Sequence, residues 1–157
     1  EDEVTITEPG INGKMSELHA AFGLSQLKHI NKSISQRKRL SNLYKSRLNE
    51  VEGIDLVEPD ESVCGNGSYF PIRINNKFRI SRDELYEQLK SENIYARRYF
   101  YPLITQTAMY KSMPSSSKKN LPVANKISQQ ILCLPLFSDL EEQSVHRILK
   151  VITKAVK

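Results

Sequence analysis

The sequence predicts an α+β domain: a small, mostly antiparallel sheet covered by helices, with a long N-terminal helix. Three observations predict it. A chain of 157 residues suits one domain with a core of its own. Short β-forming runs bounded by Gly and Pro interleave with segments of helical period, without the strict alternation of a parallel α/β fold. Helical spacing also extends from Ser16 to Glu52, longer than a small domain needs internally.

The elements follow in order. Residues 1–15 read as an extended lead-in broken at Pro9-Gly10, and Ser16 caps the long helix over 16–52. Leu27, Ile30 and Ile34 form a stripe that Leu40, Leu43, Tyr44 and Leu48 continue with a slight drift, and Gly53 ends it. The remainder, 53–157, is the sheet-and-helix body. Ile54 to Val57 reads as an edge strand. Phe70, Ile72 and Ile74 alternate with Tyr69, Pro71 and Arg73 as in a half-buried strand, which Pro71 would assign to an edge or a bulge. Ser81-Arg82-Asp83-Glu84 loosely fits a capping box opening a second helix. Ile94 to Tyr101 is dense in β-formers and stops at Pro102, so a strand is expected there. Leu103 to Asn120 is mostly loop, with a turn of helix near Ala108-Met109-Tyr110. A short helix from Val123 to Gln130 leads into a buried strand, Ile131 to Pro135. Ser138 or Asp139 caps the last helix, whose buried face is Leu140, Val145, Ile148, Leu149, Ile152 and Val156.

Composition excludes several classes. With 39% apolar and 26% charged residues the chain has the balance of an ordinary globular protein. No apolar run approaches the ~20 residues of a membrane span, and Glu1-Asp2-Glu3 is the wrong charge for a secretory signal. Cys64 and Cys133 match no metal or redox spacing and read as reduced thiols, so a cytoplasmic location is expected. His19, His29 and His146 are scattered, with no carboxylates placed to orient the first two, and no metal site is expected. The net charge of +5 sits largely on Lys28, Lys32, Arg37, Lys38, Arg39, Lys45 and Arg47. A nucleic-acid or polyanion module using that Lys28–Arg47 face is the alternative reading; a solvated helix face accounts for the same residues.

Two constellations carry chemistry. In Gly10-Ile11-Asn12-Gly13-Lys14-Met15-Ser16-Glu17 an amide, a cation and a helix N-terminus stand together, the ingredients of an anion site. A loop that merely leads into a capped helix explains the same residues. In Tyr95-Ala96-Arg97-Arg98-Tyr99-Phe100-Tyr101-Pro102, a strand would turn Arg97 and Tyr99 one way and Arg98 and Phe100 the other. One guanidinium would then meet a phosphate or carboxylate beside an aromatic ring. An exposed Arg on a strand packed by its other face is the bland equivalent.

The segment Gly10 to Leu24 resembles a hallmark of the DegT/DnrJ/EryC1/StrS aminotransferase family. Tyr95 to Ile104, Leu121-Pro122-Val123-Ala124 and Ile131 to Leu136 resemble the same family, and the four occur in its order. The likeness covers nearly the whole chain. It implies the C-terminal small domain of a pyridoxal-phosphate-dependent transferase of fold type I. Ile94 to Ile104 looks most like members that aminate a dTDP-4-keto-6-deoxyhexose at C4, for polysaccharide or O-antigen-type sugars. Many relatives carry histidine where this chain has Ile104. The resemblance implies a homodimer with its active site at the subunit interface, a nucleotide-sugar substrate and glutamate as amino donor. It assigns Asn12 to the phosphate of the partner subunit's cofactor, and Lys14 to a substrate carboxylate or phosphate. Arg97, Arg98 and Tyr99 are placed near the nucleotide-sugar entrance. The cofactor lysine, the acid facing the pyridine nitrogen and a phosphate-binding serine belong to a large N-terminal domain. No lysine here has such a context. The chain therefore reads as a fragment without a catalytic residue, inactive alone and holding no pyridoxal phosphate stably, with no nucleic-acid or membrane partner.

Overall fold

A computed structural model describes residues 11, 13–57, 62–63 and 65–155. The chain divides into two compact units, 1–32 and 33–157.

In the first unit, helix α1 spans Glu17–Leu27. Ser16 caps it: its Oγ accepts from the His19 backbone N–H at 3.4 Å and lies 2.7 Å from His19 Nδ1. No residue of α1 is buried; Leu18, Phe22, Leu24 and Leu27 are all exposed. The helix does not run on to Glu52 as the spacing suggests. The N–H groups of Lys28 and His29 turn back to Ser25 and Gln26, at 3.3 and 3.0 Å. That tighter i→i−3 closure ends α1, and helix α2 (Ile30–Leu48) starts afresh. The drift of the apolar stripe across this point is the trace of the break in the sequence. Leu48, not Gly53, closes α2.

In the second unit, β1 (Ile54–Leu56), β2 (Phe70–Ile74) and β3 (Ile131–Leu134) form an antiparallel sheet in that order. Ile72 stands opposite Leu56 on one side and Leu132 on the other. Pro71 thus lies in the central strand, not at an edge. The Ile74 N–H points to the β3 side, reaching Gln130 O at 2.9 Å. Alternation then turns the Pro71 nitrogen to the β1 side, beyond Leu56 where β1 has already ended, so no ladder bond is lost.

One face of the sheet makes the core. Phe70, Ile72, Ile74, Leu132 and Leu134 cluster with Leu40, Tyr44 and Leu48 of α2. Leu85 and Leu89 of α3 (Arg82–Ser91) and Val145, Ile148, Leu149 and Ile152 of α5 (Glu142–Lys154) complete it. Each such side chain contributes about 1.5–3 kcal/mol on burial. Tyr44 stacks on Phe70 with centroids 4.8 Å apart and donates its hydroxyl to Pro135 O at 3.0 Å. Burial pushes its phenol well above the ordinary value, so it stays a donor.

The connections are set by local chemistry. Ser81 and Glu84 make a complete capping box, with Ser81 N–H donating to Glu84 Oε2 at 2.7 Å and Glu84 N–H to Ser81 Oγ at 3.2 Å. The far end of α3 closes in a Schellman turn. Ile94 N–H reaches Leu89 O at 2.9 Å, Asn93 N–H reaches Lys90 O at 3.0 Å, and Asn93 sits at φ 58°. Gly53 has φ +87°, and a Cβ there would stand 2.2 Å from the backbone nitrogen of Phe78. Helix α4 (Pro122–Ser128) starts on its proline, as the N1 position allows. Three 3₁₀ turns, Ile104–Gln106, Pro114–Ser116 and Lys118–Asn120, organise the long loop before it. Helix α5 is not capped by Ser138 or Asp139. Those residues lie in a turn closed by Leu140 N–H on Phe137 O at 3.2 Å, which drops Leu140 into the core, and Glu141 takes the N-cap position. Among the described residues no helix is long and apolar enough to cross a membrane.

Candidate functional site

The segment after α3 is not a strand. Ile94 and Ala96 are buried and Tyr95 is exposed, the alternation of extended chain, but pairing is limited to one residue. Arg97 N–H donates to Cys133 O at 2.9 Å and Cys133 N–H to Arg97 O at 2.8 Å. The chain then leaves the sheet through two cis peptide bonds, Tyr99–Phe100 and Tyr101–Pro102. The expected β-richness of this run is aromatic content used for a loop wall instead.

Sequence alternation separates Arg97 and Tyr99 from Arg98 as expected, but Phe100 does not follow Arg98: its ring packs on Tyr99 at 5.0 Å. Arg97 Nη1 donates to the Tyr99 hydroxyl at 2.5 Å, with its guanidinium 5.6 Å from that ring's centre. Tyr69 meets Tyr99 edge-on at 5.3 Å. Among the described residues no carboxylate pairs with Arg97. Arg98 goes the other way: its Nη1 donates to Asp83 Oδ1 at 2.8 Å. Its guanidinium lies 4.3 Å from the Tyr86 ring centre and 5.1 Å from that of Tyr101. Tyr86, Arg97, Arg98, Tyr99, Phe100 and Tyr101 line an open cavity of about 480 Å³.

Beneath it lies Arg82, which is 2% exposed. Its Nη1 donates to the carbonyls of Ser128 and Ile131, both at 3.0 Å, and its Nε stands 2.9 Å from Asp83 Oδ1. Neither Nε, whose contact with Asp83 is an ion pair without hydrogen-bond geometry, nor Nη2 has a hydrogen-bond partner among the described residues, and the guanidinium faces the Tyr101 ring at 4.8 Å. Burial draws the Arg82 pKa down from its usual value. For Asp83, burial is the largest single influence and opposes ionisation. The Arg98 hydrogen bond and the charges of Arg82 and Arg98 together outweigh it, holding the carboxyl below the ordinary range. The Asp83 hydrogen bond in turn raises Arg98.

The structure thus brings Arg97, Arg98 and Tyr99 into one cleft and adds Tyr86 to its lining, with Asp83 and Arg82 joined to it through Arg98 and Tyr101. The missed residues had one legible signal: Asp83 and Tyr86 are three apart on a helix and share a face. Lys14 is exposed in the first unit, and Asn12 lies outside the described residues. A larger cleft of about 630 Å³ between α3 and α5 carries Arg79, Arg147, Lys150 and Lys154 but none of the residues the sequence singled out. The basic face of α2 is partly engaged internally, Arg37 donating to Asn66 O at 2.9 Å and Arg39 pairing with Glu142.

Among the described residues no three His, Cys, Asp or Glu side chains gather to hold a metal. No lysine is buried there either; Lys45 is half-buried and the others are exposed. A Schiff-base lysine needs a desolvated pocket, so the described residues do not by themselves fit pyridoxal phosphate.

Known proteins frame this cleft. The model of the DegT/DnrJ/EryC1/StrS aminotransferase family matches residues 1–153. A "dTDP-4-amino-4,6-dideoxy-D-glucose transaminase" of Escherichia coli is 50% identical over 151 residues, covering 96% of this chain and 41% of that protein. The protein of that name from Shigella dysenteriae is 40% identical over 152 residues, again 96% of this chain and 41% of the relative. The crystal structure of DesI with its TDP-sugar product superposes with a TM-score of 0.83 at 27% identity, covering 94% of this chain and 38% of that one. DesV of S. venezuelae, at 22% identity and a TM-score of 0.83, shares the fold over 99% of this chain and 40% of its own. The chain spans about two-fifths of the length of these relatives. Full-length enzymes of the family use pyridoxal phosphate, as the name of Bacillus subtilis EpsN, a putative pyridoxal phosphate-dependent aminotransferase, also states. With the family model matching residues 1–153 and the fold shared with DesI, the chain belongs to the DegT/DnrJ/EryC1/StrS aminotransferase family.

Proposed function

We propose that this chain is the C-terminal small domain of an aminotransferase that moves an amino group from glutamate to C4 of a dTDP-linked 4-keto-6-deoxyhexose, for polysaccharide assembly. The observation that carries the proposal is the 50% identity, over 96% of the chain, to a transaminase named for that class of sugar. The cleft supports it from the chain's own chemistry. Arg97 offers a guanidinium with no competing carboxylate among the described residues, beside the rings of Tyr99 and Phe100. A cation over aromatic walls suits a diphosphate joined to a planar base. Ile104, 70% exposed at the rim, stands where many relatives have histidine and leaves that wall apolar.

Pyridoxal phosphate, held in a larger protein of which this chain is part, would supply the amino-carrier chemistry. This domain would bind and orient the nucleotide and help exclude water from the reacting sugar. In a homodimer, Asn12 and Lys14 of one subunit would serve the phosphate and substrate of the other. The exposed apolar residues of α1, Leu18, Phe22, Leu24 and Leu27, lie on more than one side of the helix and are the kind of surface that stays covered in a larger assembly. On this reading the 157-residue chain is inactive alone, without membrane or nucleic-acid partners, and works in the cytoplasm.

The test is spectroscopic. The chain incubated with pyridoxal phosphate and reduced with borohydride should show no visible band and no covalent adduct. A version lengthened at its N-terminus to the size of the relatives should turn yellow and aminate a dTDP-4-keto-6-deoxyhexose with glutamate. A stable adduct on one lysine of the short chain, or a colourless long one, refutes the proposal.

A further inference from the structure

Arg97 and Arg98 are neighbours in sequence but not in circumstance. Arg97 is exposed, and among the described residues its guanidinium meets Tyr99, through hydroxyl and ring. Arg98 has a carboxylate, two rings and a side chain 31% exposed. A guanidinium already bound to a carboxylate has little left to offer an incoming phosphate, because the ligand would have to displace that charge.

We infer that Asp83 is a positioning residue for this cleft, acting through Arg98 as a strut and leaving Arg97 as the cation that meets the ligand. This rests on the reading of the cleft as a nucleotide site. One oxygen, Asp83 Oδ1, lies 2.8 Å from Arg98 Nη1 and 2.9 Å from Arg82 Nε, so it ties two guanidinia together. Arg82 grounds the tie on the ends of α4 and β3 through Ser128 O and Ile131 O. Above it the rings alternate with the cations: Tyr86 and Tyr101 each lie within reach of Arg98, and Tyr101 also faces Arg82. The loop that presents Tyr99 and Phe100 is thereby attached to α3 at two points, the Arg98–Asp83 ion pair and the Arg98 guanidinium over the Tyr86 ring. Removing the negative charge leaves Arg82 and Arg98 repelling each other under Tyr101. The aromatic wall then loses its fixed orientation while the core, built on the other elements, stays intact. Ring and cation contacts of this kind are geometric, so a guanidinium without its carboxylate does not keep the same pose.

A double-mutant cycle on the full 157-residue chain separates a strut from a ligand group. Asp83→Asn, Arg98→Gln and the double variant are compared by two readouts. The first is the NMR ring-proton shifts of Tyr86 and Tyr101; the second is the affinity for thymidine diphosphate by calorimetry. Asp83→Asn should move both sets of ring signals and weaken binding about tenfold. It should have no further effect on binding once Arg98 is Gln, because its route is gone. Asp83→Glu, which keeps the charge, should recover part of the affinity. Arg97→Ala should abolish binding with the ring signals of Tyr86 and Tyr101 unmoved. Unmoved ring signals in Asp83→Asn, or losses from Asp83→Asn and Arg98→Gln that simply add, overturn the inference. If the unmutated chain does not bind thymidine diphosphate, the nucleotide reading of the cleft falls, and the ring signals alone decide whether Asp83 positions the loop.

Discussion

Gly53 offers the sharpest test of how the body is built. Replacing it with Ala puts a Cβ 2.2 Å from the Phe78 nitrogen, 2.4 Å from its Cα and 2.6 Å from its Cβ. The two nearest are backbone atoms of a residue only 6% exposed, and the Cβ is fixed by them, so no side-chain rotation relieves the overlap. The φ of +87° adds about 1–2 kcal/mol for any residue with a Cβ. Moving the Phe78 backbone disturbs two bonds that close the turn, Asn75 N–H to Gly53 O at 2.9 Å and Phe78 N–H to Asn75 O at 3.1 Å. Overpacking of this kind costs roughly 1–3 kcal/mol, so the sum is about 2–5 kcal/mol. That is a large part of the 5–15 kcal/mol typical of a domain. Urea unfolding followed by circular dichroism measures it, with Gly23→Ala as the control. Gly23 has nothing within 4 Å of its would-be Cβ, and in a helix the change should stabilise by about 0.5–1 kcal/mol. A Gly53→Ala loss below about 1 kcal/mol would refute the reasoning, because the conformational cost alone reaches that.

Ser81→Ala removes the side-chain half of the capping box and should lower stability by about 1 kcal/mol in the same assay. Asn93→Val forces a β-branched residue to φ 58° and should cost about 1–2 kcal/mol, whereas Asn93→Gly should change stability by less than about 1 kcal/mol. The Asp55 carboxyl is held below its ordinary value by the Asn75 amide first and the Arg73 guanidinium next. A depressed folded-state pKa gives stability that is present at neutral pH and lost as pH falls through it. With the Asp55 side chain 39% exposed, the effect is at most about 0.5 kcal/mol. Asp55→Asn should therefore narrow the gap between urea midpoints at neutral and strongly acidic pH.

The body of the fold was legible where residues carry their own geometry. Ser81 with Glu84, the period of Val145 to Ile152, and the alternation Phe70-Ile72-Ile74 each specify an element without outside help. The failures come from tertiary context. Nothing local distinguishes a central Pro71 from one at an edge; the answer is where β1 stops, one element earlier. The Ile94–Tyr101 run has strand composition, yet its rings are spent on Arg82, Arg98 and each other, and only Arg97 pairs. The helix break at Lys28-His29 contains neither Gly nor Pro, and a drifting stripe was its sole sign. At the site, Arg97, Arg98 and Tyr99 stood out as a cluster in sequence. Asp83 did not, because its role needs a loop brought back from fifteen residues away.

The outer edge of β3 has a further consequence. Cys133 turns its backbone groups outward to Arg97, so alternation turns Ile131 outward too, and Arg82 takes the Ile131 carbonyl. Both outward acceptors of this four-residue, fully buried strand are thus occupied, one by a single backbone amide and one by a cation. An unsealed apolar edge of Ile-Leu-Cys-Leu would template pairing with the same segment of another molecule. Arg82 works here as a gatekeeper against aggregation: a foreign strand would have to evict a buried guanidinium before gaining its first hydrogen bond.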